Sequence, residues 1–367
     1  MSDQTSPAAF SPGVPILSVL MPRAEGVVIP LASLLAGALA FSLFLLLVGK
    51  SPLAFFGLVW MAGFSTAFSW QNTLSQVSPL LLAALCVALP ARLGLVVIGG
   101  EGAIVLGGLA AAVTAAMVAG WPMALGLVAM VLSAMALGGT WIAAIGALRI
   151  KRGVNETIAS LLMAYIAIAL FNHLVEGPFR DPASLNKPST LPVPESLRIG
   201  DMPLISAHWG VAVGIILCVF CWVLIERTTL GFAARIAGDN LRAAQVQGLP
   251  VGRLVIGFTA LGGAFAGLAG FFEVAAVHGS ANASLIAGYG YTGILVAFLA
   301  RHNPLAIIPV AILLGGFAAS SGLIQRRMDL PDATILVFQG MIFVAILLSE
   351  TVYGRFKVFS SAYWIAR

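Results

Sequence analysis

Charge is what this chain has least of. Only 9% of its 367 residues are Asp, Glu, Lys or Arg, against about 25% in soluble domains. So few charges cannot clothe a water-facing surface. The rest of the composition says why: 60% of residues are hydrophobic and the mean hydropathy is +1.03. Cysteine and histidine are scarce too, at three and four residues. Cys86, Cys218 and Cys221 all fall in apolar runs. Cys218 and Cys221 have redox spacing, but one turn inside a membrane span explains that spacing without a redox or zinc site. His173, His208, His278 and His302 stand apart near loop ends, without metal-ligand spacing. No catalytic cluster, metal site or cofactor motif is expected. The G-x-x-x-x-G-K-[ST] phosphate loop is also missing, since "VGKSP" at 48–52 has Phe44 where the upstream glycine belongs. By this signal the chain does not bind and hydrolyse ATP itself. The net charge of +5 is spread along loops with no basic block, so nucleic acid is not an expected partner.

What remains is apolar length. Runs of about 20 residues recur, each long enough to cross a hydrocarbon core of roughly 30 Å as a helix. Segments such as 211–225 and 307–317 are apolar on every side, which excludes the alternation of barrel strands. The expected fold is an all-α integral membrane protein with about ten transmembrane helices, near 27–48, 76–93, 101–119, 122–147, 156–175, 208–225, 253–277, 289–300, 304–324 and 332–349. The aromatic-rich stretch 52–70 is an interfacial or eleventh helix. Residues 1–26 read as a disordered cytoplasmic tail without signal-peptide character, 27–350 as the membrane domain, and 351–367 as a cytoplasmic C-terminal tail.

Positively charged loops stay cytoplasmic. With the N-terminus inside, 13 of the 19 Lys and Arg fall inside and 6 outside, which puts both termini in the cytoplasm. Arg326 and Arg327 are the awkward outer pair. By the same assignment the second span runs inward and the seventh outward, so repeats built on spans two to five and seven to ten are inverted.

Two loops stand out. Residues 176–203, rich in proline, form a partly ordered outer docking loop. Residues 226–253 lie inside and read "ERTTLGFAARIAGDNLRAAQVQGLPVGR". There 232–237 can make a short helix stopped by Gly238, and Asp239 or Asn240 can cap a second, 241–247, closed by Gly248 and Pro250. Two turns of helix are unstable alone in water, so either this is a capped surface loop or another protein clamps it.

Polar residues inside spans are few, and a buried ionisable group is costly. From Leu93 to Leu148, 56 residues, Glu101 is the sole full charge. Gly99-Gly100 can form a tight turn that starts span three. Glu101 is then either held in the first turn by the helix dipole or lines a pathway. Asn155-Glu156 is read as the cap and first-turn acid of span five. Glu273, Gln339, Asn282, Tyr289 and Tyr291 complete the polar set. Gly210-x-x-x-Gly214 and Gly263-x-x-x-Gly267 are packing signals.

Five stretches, "LGLVVIGGEGAIVLGG", "GVNETIASLLMAYIA", "TTLGFAARIAGDNLRAAQVQGL", "GYGYTGILVAFLARHNP" and "VFQGMIFVAILL", together resemble the permease subunits of bacterial ABC importers for simple sugars and nucleosides. The order and spacing match from about 76 to 348. The outer loop and Asn155-Glu156-Thr157-Ile158 are most similar to the larger permease of two-permease nucleoside importers. The resemblance implies a type II-like importer architecture with inverted repeats in the cytoplasmic (inner) membrane, and no enzyme activity of its own. It also implies a second related permease, a cytoplasmic ATPase subunit, an extracytoplasmic substrate-binding protein and a small polar substrate. Carried onto this chain, the pathway set is Glu101, Glu273, Asn282, Tyr291 and Gln339. The ATPase-coupling set is Gly231, Arg235, Gly238, Asp239, Asn240 and Gly248. One departure is Val97, where the family's "FNIGxEG" pattern has asparagine. A different class remains open on the residues alone: an ion- or proton-coupled transporter using Glu101 and Glu273 without an ATPase. A non-transporting scaffold or enzyme is a third.

Overall fold

The computed structural model describes residues 16–203 and 207–351. Among them it is helical throughout, with 13 α-helices and no strand beyond two isolated bridges. In chain order the helices are α1 (Ile16–Leu47), α2 (Pro52–Phe64), α3 (Ala67–Ala91), α4 (Gly100–Met117), α5 (Met123–Arg152), α6 (Glu156–Glu176), α7 (Gly210–Arg227), α8 (Thr229–Asp239), α9 (Leu241–Val246), α10 (Val251–Phe272), α11 (Tyr289–Leu299), α12 (Pro304–Met328) and α13 (Ala333–Glu350). Eight described helices are long and apolar enough to cross a membrane, and α2, 283–299 and α13 are shorter apolar ones. The ten expected spans are these eight plus α11 and α13. The 52–70 stretch resolves into α2, a turn capped by the Thr66 hydroxyl, and the start of α3 nine residues earlier than expected. The expected disordered tail is corrected in part. Residues 16–26 belong to the same helix as the span that follows; residues 1–15 and 352–367 lie outside the described part.

The chain forms two compact units, 1–52 with 336–367, and 53–335. In the first, Gly37 lies against Ile342, and the Phe41 and Phe338 rings stand 4.9 Å apart.

The second unit carries nearly all the polar chemistry. Its seam is an antiparallel pair, α5 on α10. Ala134 faces Gly267, Gly138 faces Gly263, Gly139 faces Ala260, and Gly146 faces Thr259. A methyl group at Gly138 or Gly263 would sit on the opposite backbone, so the small residues let the two helices approach closely without a polar tie. Gly214 does the same for α7 against Leu81 of α3. Packing repeats across the unit: α10 lies against α3, α4 and α5, while α3 lies against α10, α11 and α12.

Helix ends follow their capping chemistry. Asn155 Oδ1 accepts from Ile158 N at the start of α6, and Asn303 from Leu305 N ahead of Pro304 in α12. Arg149, Lys151 and Arg152 fill the last turn of α5, where cations favour the dipole, and Arg149 also pairs with Glu156 at 3.3 Å. Among the helices expected to span, α11 is the shortest, at 11 residues. It is about 16 Å long at 1.5 Å per residue, roughly half a membrane. Its N-terminus therefore starts inside the bundle, where its free N–H groups need an acceptor.

Candidate functional site

That acceptor is Glu101. The residue sits in the first turn of α4, as expected, and is fully buried. Its carboxylate, however, turns away from its own helix and caps α11. Oε1 accepts from Gly288 N at 2.8 Å and Oε2 from Gly290 N at 2.6 Å. Two positive helix ends thus converge on one carboxylate. The local sequence permits it. Gly288 has φ +80°, a left-handed conformation that glycine adopts without a Cβ clash. At Gly290 any Cβ would overlap the backbone of Glu101. The "GGEG" and "GYG" motifs are therefore two halves of one contact. Glu101 keeps the expected first-turn place in α4 and gains a second helix end, whose partner residue lies 187 residues away in sequence.

Segment 92–101 reaches α11 at its other end as well. Arg92 Nη2 donates to the carbonyl of His302 at 3.2 Å, just past the α11 C-terminus. Arg92 also faces Glu226 at 3.8 Å, and Glu226 pairs with Arg235 of α8 at 3.3 Å. The loop expected to couple to an ATPase is thereby tied to both ends of α11 through one short stretch of chain.

In that loop α8 runs from Thr229 through Asp239, with Gly231, Ala234 and Ala237 buried. Gly238 does not stop the helix; this corrects the expected boundary. Gly238 lies within α8 because its missing side chain lets the helix press on the Arg92 carbonyl, and the break comes two residues on. There Asn240 accepts from Arg242 N and Ala243 N, both at 3.0 Å, so of the two candidate caps Asn240 is the one used. Asp239 and Gly248 are exposed, and Gly248 has φ +82°. Leu230, Phe232 and Val246 are exposed apolar residues, Val246 at 89%.

Around Glu101 lies a second polar group. Tyr289 donates to Gln76 Oε1 at 2.9 Å. Glu273 opens a single-turn π-helical stretch, Glu273–His278, at the end of α10 and is 1% exposed. Its carboxylate lies 3.4 Å from His278 Nε2, and neither oxygen has a hydrogen bond. Ser78 Oγ and His208 Nε2 are likewise buried without a hydrogen-bond partner. Burial pushes the His208 imidazole below its ordinary range, with Glu273 pulling the other way. Ser78, Gln76 and His208 carry no sequence signal: each is a common residue type in an apolar run or at a loop end.

The remaining expected pathway residues scatter. Asn282 caps a 3-10 turn by accepting from Ser284 N and bridges Ser189 of the outer loop. Gln339 lies in α13, in the other compact unit, and is buried. Tyr291 is exposed beside the Glu101 cap. Val97, at the position where asparagine is usual, is fully buried.

The outer loop is ordered by backbone bonds. Thr190 N donates to Ala281 O, Ala281 N to the Thr190 hydroxyl, Val193 N to Gly279 O, and Ile199 N to Ala275 O, all at 2.8–3.0 Å. Between this loop and the last turns of α4 is a cavity of about 310 Å³, with Ala112, Ala116, Phe179 and Arg180 among its walls.

Comparison with known proteins supplies the identity. Residues 69–347 match the family described as branched-chain amino acid transport system, permease component. The glucose ABC transporter permease protein of Haloferax volcanii is 30% identical, over 97% of this chain and 92% of that one. The guanosine ABC transporter permease protein of Bacillus subtilis is also 30% identical, over 87% and 94%. A nucleoside ABC transporter permease protein of Lactococcus lactis is 24% identical, over 79% and 82%. These relatives favour the importer reading over a transporter that works without an ATPase. With its spans, its half-length buried helix and a match over most of its length, the chain belongs to the permease-component family of branched-chain amino acid transport systems, as a multi-pass membrane subunit of ABC transporter type.

Proposed function

We propose that this permease forms half of the path by which a nucleoside or simple sugar enters the cell, by alternating access with a second related permease. The observation that carries the mechanism is the double hold on α11. Segment 92–101 grips its N-terminus through Glu101 and its C-terminus through Arg92, and α8 presses on that same segment. A push on α8 then moves α11 as one body. The ATPase subunit docks on Leu230, Phe232 and Val246, whose exposure at a loop tip suits a protein groove. Gly231, Arg235, Gly238 and Asn240 set the shape and anchoring of that element, with Asp239 and Gly248 at its turns. The substrate-binding protein delivers to the 176–203 loop. Both termini are cytoplasmic and the membrane is the cytoplasmic one, on the distribution of Lys and Arg.

Glu101 acts in this reading as the fixed pin of the path, not as a proton carrier, since both oxygens are engaged by backbone N–H. Glu273, Asn282 and Tyr291 supply polar groups along the route. The substrate class comes from the two relatives at 30% identity, whose names give glucose and guanosine. The test is uptake by proteoliposomes holding the whole importer. ATP-dependent entry of guanosine or glucose is expected, abolished by Phe232→Asp with Val246→Asp while the permease stays in the membrane. Uptake that continues without the ATPase subunit, driven by an ion gradient, would overturn it.

A further inference from the structure

Tyrosine is rare here, with five in the chain. Two of them, Tyr353 and Tyr363, lie outside the described residues. The other three all gather at Glu101. Tyr289 and Tyr291 begin α11 within electrostatic reach of its carboxylate, and Tyr165 of α6 is within reach of Tyr291. Tyr289 is turned inward, on Gln76. Tyr165 and Tyr291 face outward, at 59% and 38% exposure.

Their depth is unusual. Tyr165 is the tenth of 21 residues in α6, so roughly 15 Å of helix lies on either side of it. Glu101 sits at the same level, because the adjacent Gly102 packs on Ala164 and Ala167. Membrane tyrosines belong at the two interfaces, where the hydroxyl meets water and headgroups. A phenol half-way along a spanning helix reaches neither interface, and a free hydroxyl in hydrocarbon lacks a partner. The neighbouring exposed residues Leu162 and Ile166 are apolar. The face therefore combines flat apolar surface with two hydroxyls, the composition of a small-molecule contact.

We propose that Tyr165 and Tyr291 are the solute-contacting pair of the translocation path, taking a neutral solute that lays a ring against the phenols and exchanges hydrogen bonds with their hydroxyls. Nucleosides and hexoses share that chemistry. The inference rests on the transport reading above and adds to it residues and a substrate contact.

The test uses the complete importer in proteoliposomes, with guanosine and glucose as separate arms. Tyr165→Phe and Tyr291→Phe each lower uptake efficiency about five-fold, the loss of one hydrogen bond. Tyr165→Leu lowers it about ten-fold or more through lost stacking. Complex assembly stays unchanged. If guanosine uptake alone responds, the ring is a base; if glucose alone, a sugar. Independently, Tyr165→Cys and Tyr291→Cys are expected to react with a charged methanethiosulfonate and to be protected by the solute. The native cysteines are fully buried, and the unsubstituted protein gives the background. Reaction only with a lipid-soluble maleimide, or with neither reagent, overturns the proposal, as does normal uptake in Tyr165→Leu. Absence of uptake by the unsubstituted importer, with the charged reagent still reacting, would count against the transported solute class and leave the water-facing path standing.

Discussion

Two stretches of irregular chain enter the larger unit and meet at Glu101, and they are held in different ways. Residues 92–99 are secured at their α3 end by side-chain charge, Arg92 with Glu226 and Glu226 with Arg235, and by the pressure of Gly238 on the Arg92 carbonyl; further along, Val96 O accepts from the Thr157 hydroxyl and Ile98 N donates to Ser160 Oγ. Residues 279–288 are secured by backbone hydrogen bonds from the outer loop to Gly279 and Ala281. Charged pairs tolerate displacement, because Coulomb attraction falls off slowly with distance. Backbone hydrogen bonds weaken steeply once length or angle is wrong. The entry beside α8 thus depends on charge at its Arg92 end, and the entry beneath the outer loop on backbone hydrogen bonds. Glu101 joins the two.

The junction itself is the most sensitive point of the comparison. Gly290→Ala places a Cβ on the Glu101 backbone. Neither side can rotate away, so a loss of about 3 kcal/mol or more is expected, visible as a large drop in melting temperature in detergent and as loss of uptake. Glu101→Gln comes next. An amide offers one acceptor oxygen where the carboxylate offers two, so one of the Gly288 and Gly290 N–H groups is left facing an NH₂. The expected cost is about 1–3 kcal/mol, with uptake reduced at least ten-fold and the protein still assembled; uptake at the unsubstituted rate would show that the cap is dispensable to transport.

The two holds can then be separated by salt. Thr190→Val removes the acceptor for Ala281 N, at about 1–2 kcal/mol, equally at low and high ionic strength. Glu226→Gln releases Arg92 and Arg235, about 0.5–1 kcal/mol for side chains this exposed, and 1 M salt is expected to erase the difference from the unsubstituted protein. Equal salt sensitivity in the two variants would remove the contrast between the entries.

The smallest effect is at His302, where burial, with Arg92 and Arg301 adding to it, holds the imidazole at about pKa 4. A histidine whose folded value is depressed binds fewer protons than in the unfolded chain. Its contribution is therefore complete above the unfolded value near 6.5 and is lost as pH falls toward 4. Melting temperature measured from pH 7.5 to 4.5 is expected to fall less steeply for His302→Asn than for the unsubstituted chain. Asparagine suits the position because residue 302 has φ +54°.

Several elements are legible in the residues themselves. Asn155 and Asn240 cap the helices their spacing indicates, and Gly263 and Gly267 form the expected close seam. The family is legible too, in five ordered motifs that the match over 69–347 covers. Gly238 defeats a reading from spacing because glycine serves equally as a helix stop and as a packing surface, and only a neighbour tells the two apart. Ser78 and His208 stay invisible for a related reason: a lone polar residue in or beside an apolar run carries no record of what it faces.

By itself the sequence determined what is periodic or local: that the chain lies in a membrane, where most of its long apolar helices run, how several are capped, and that it carries no phosphate loop. Those follow from hydrophobic length and from contacts within a few residues. Tertiary structure alone decided the role of Glu101. A carboxylate in a first turn satisfies its own helix dipole equally well whichever way it points. Only the arrival of α11, cut to half length with two unpaired N–H groups in a place without water, made one direction far better than the others.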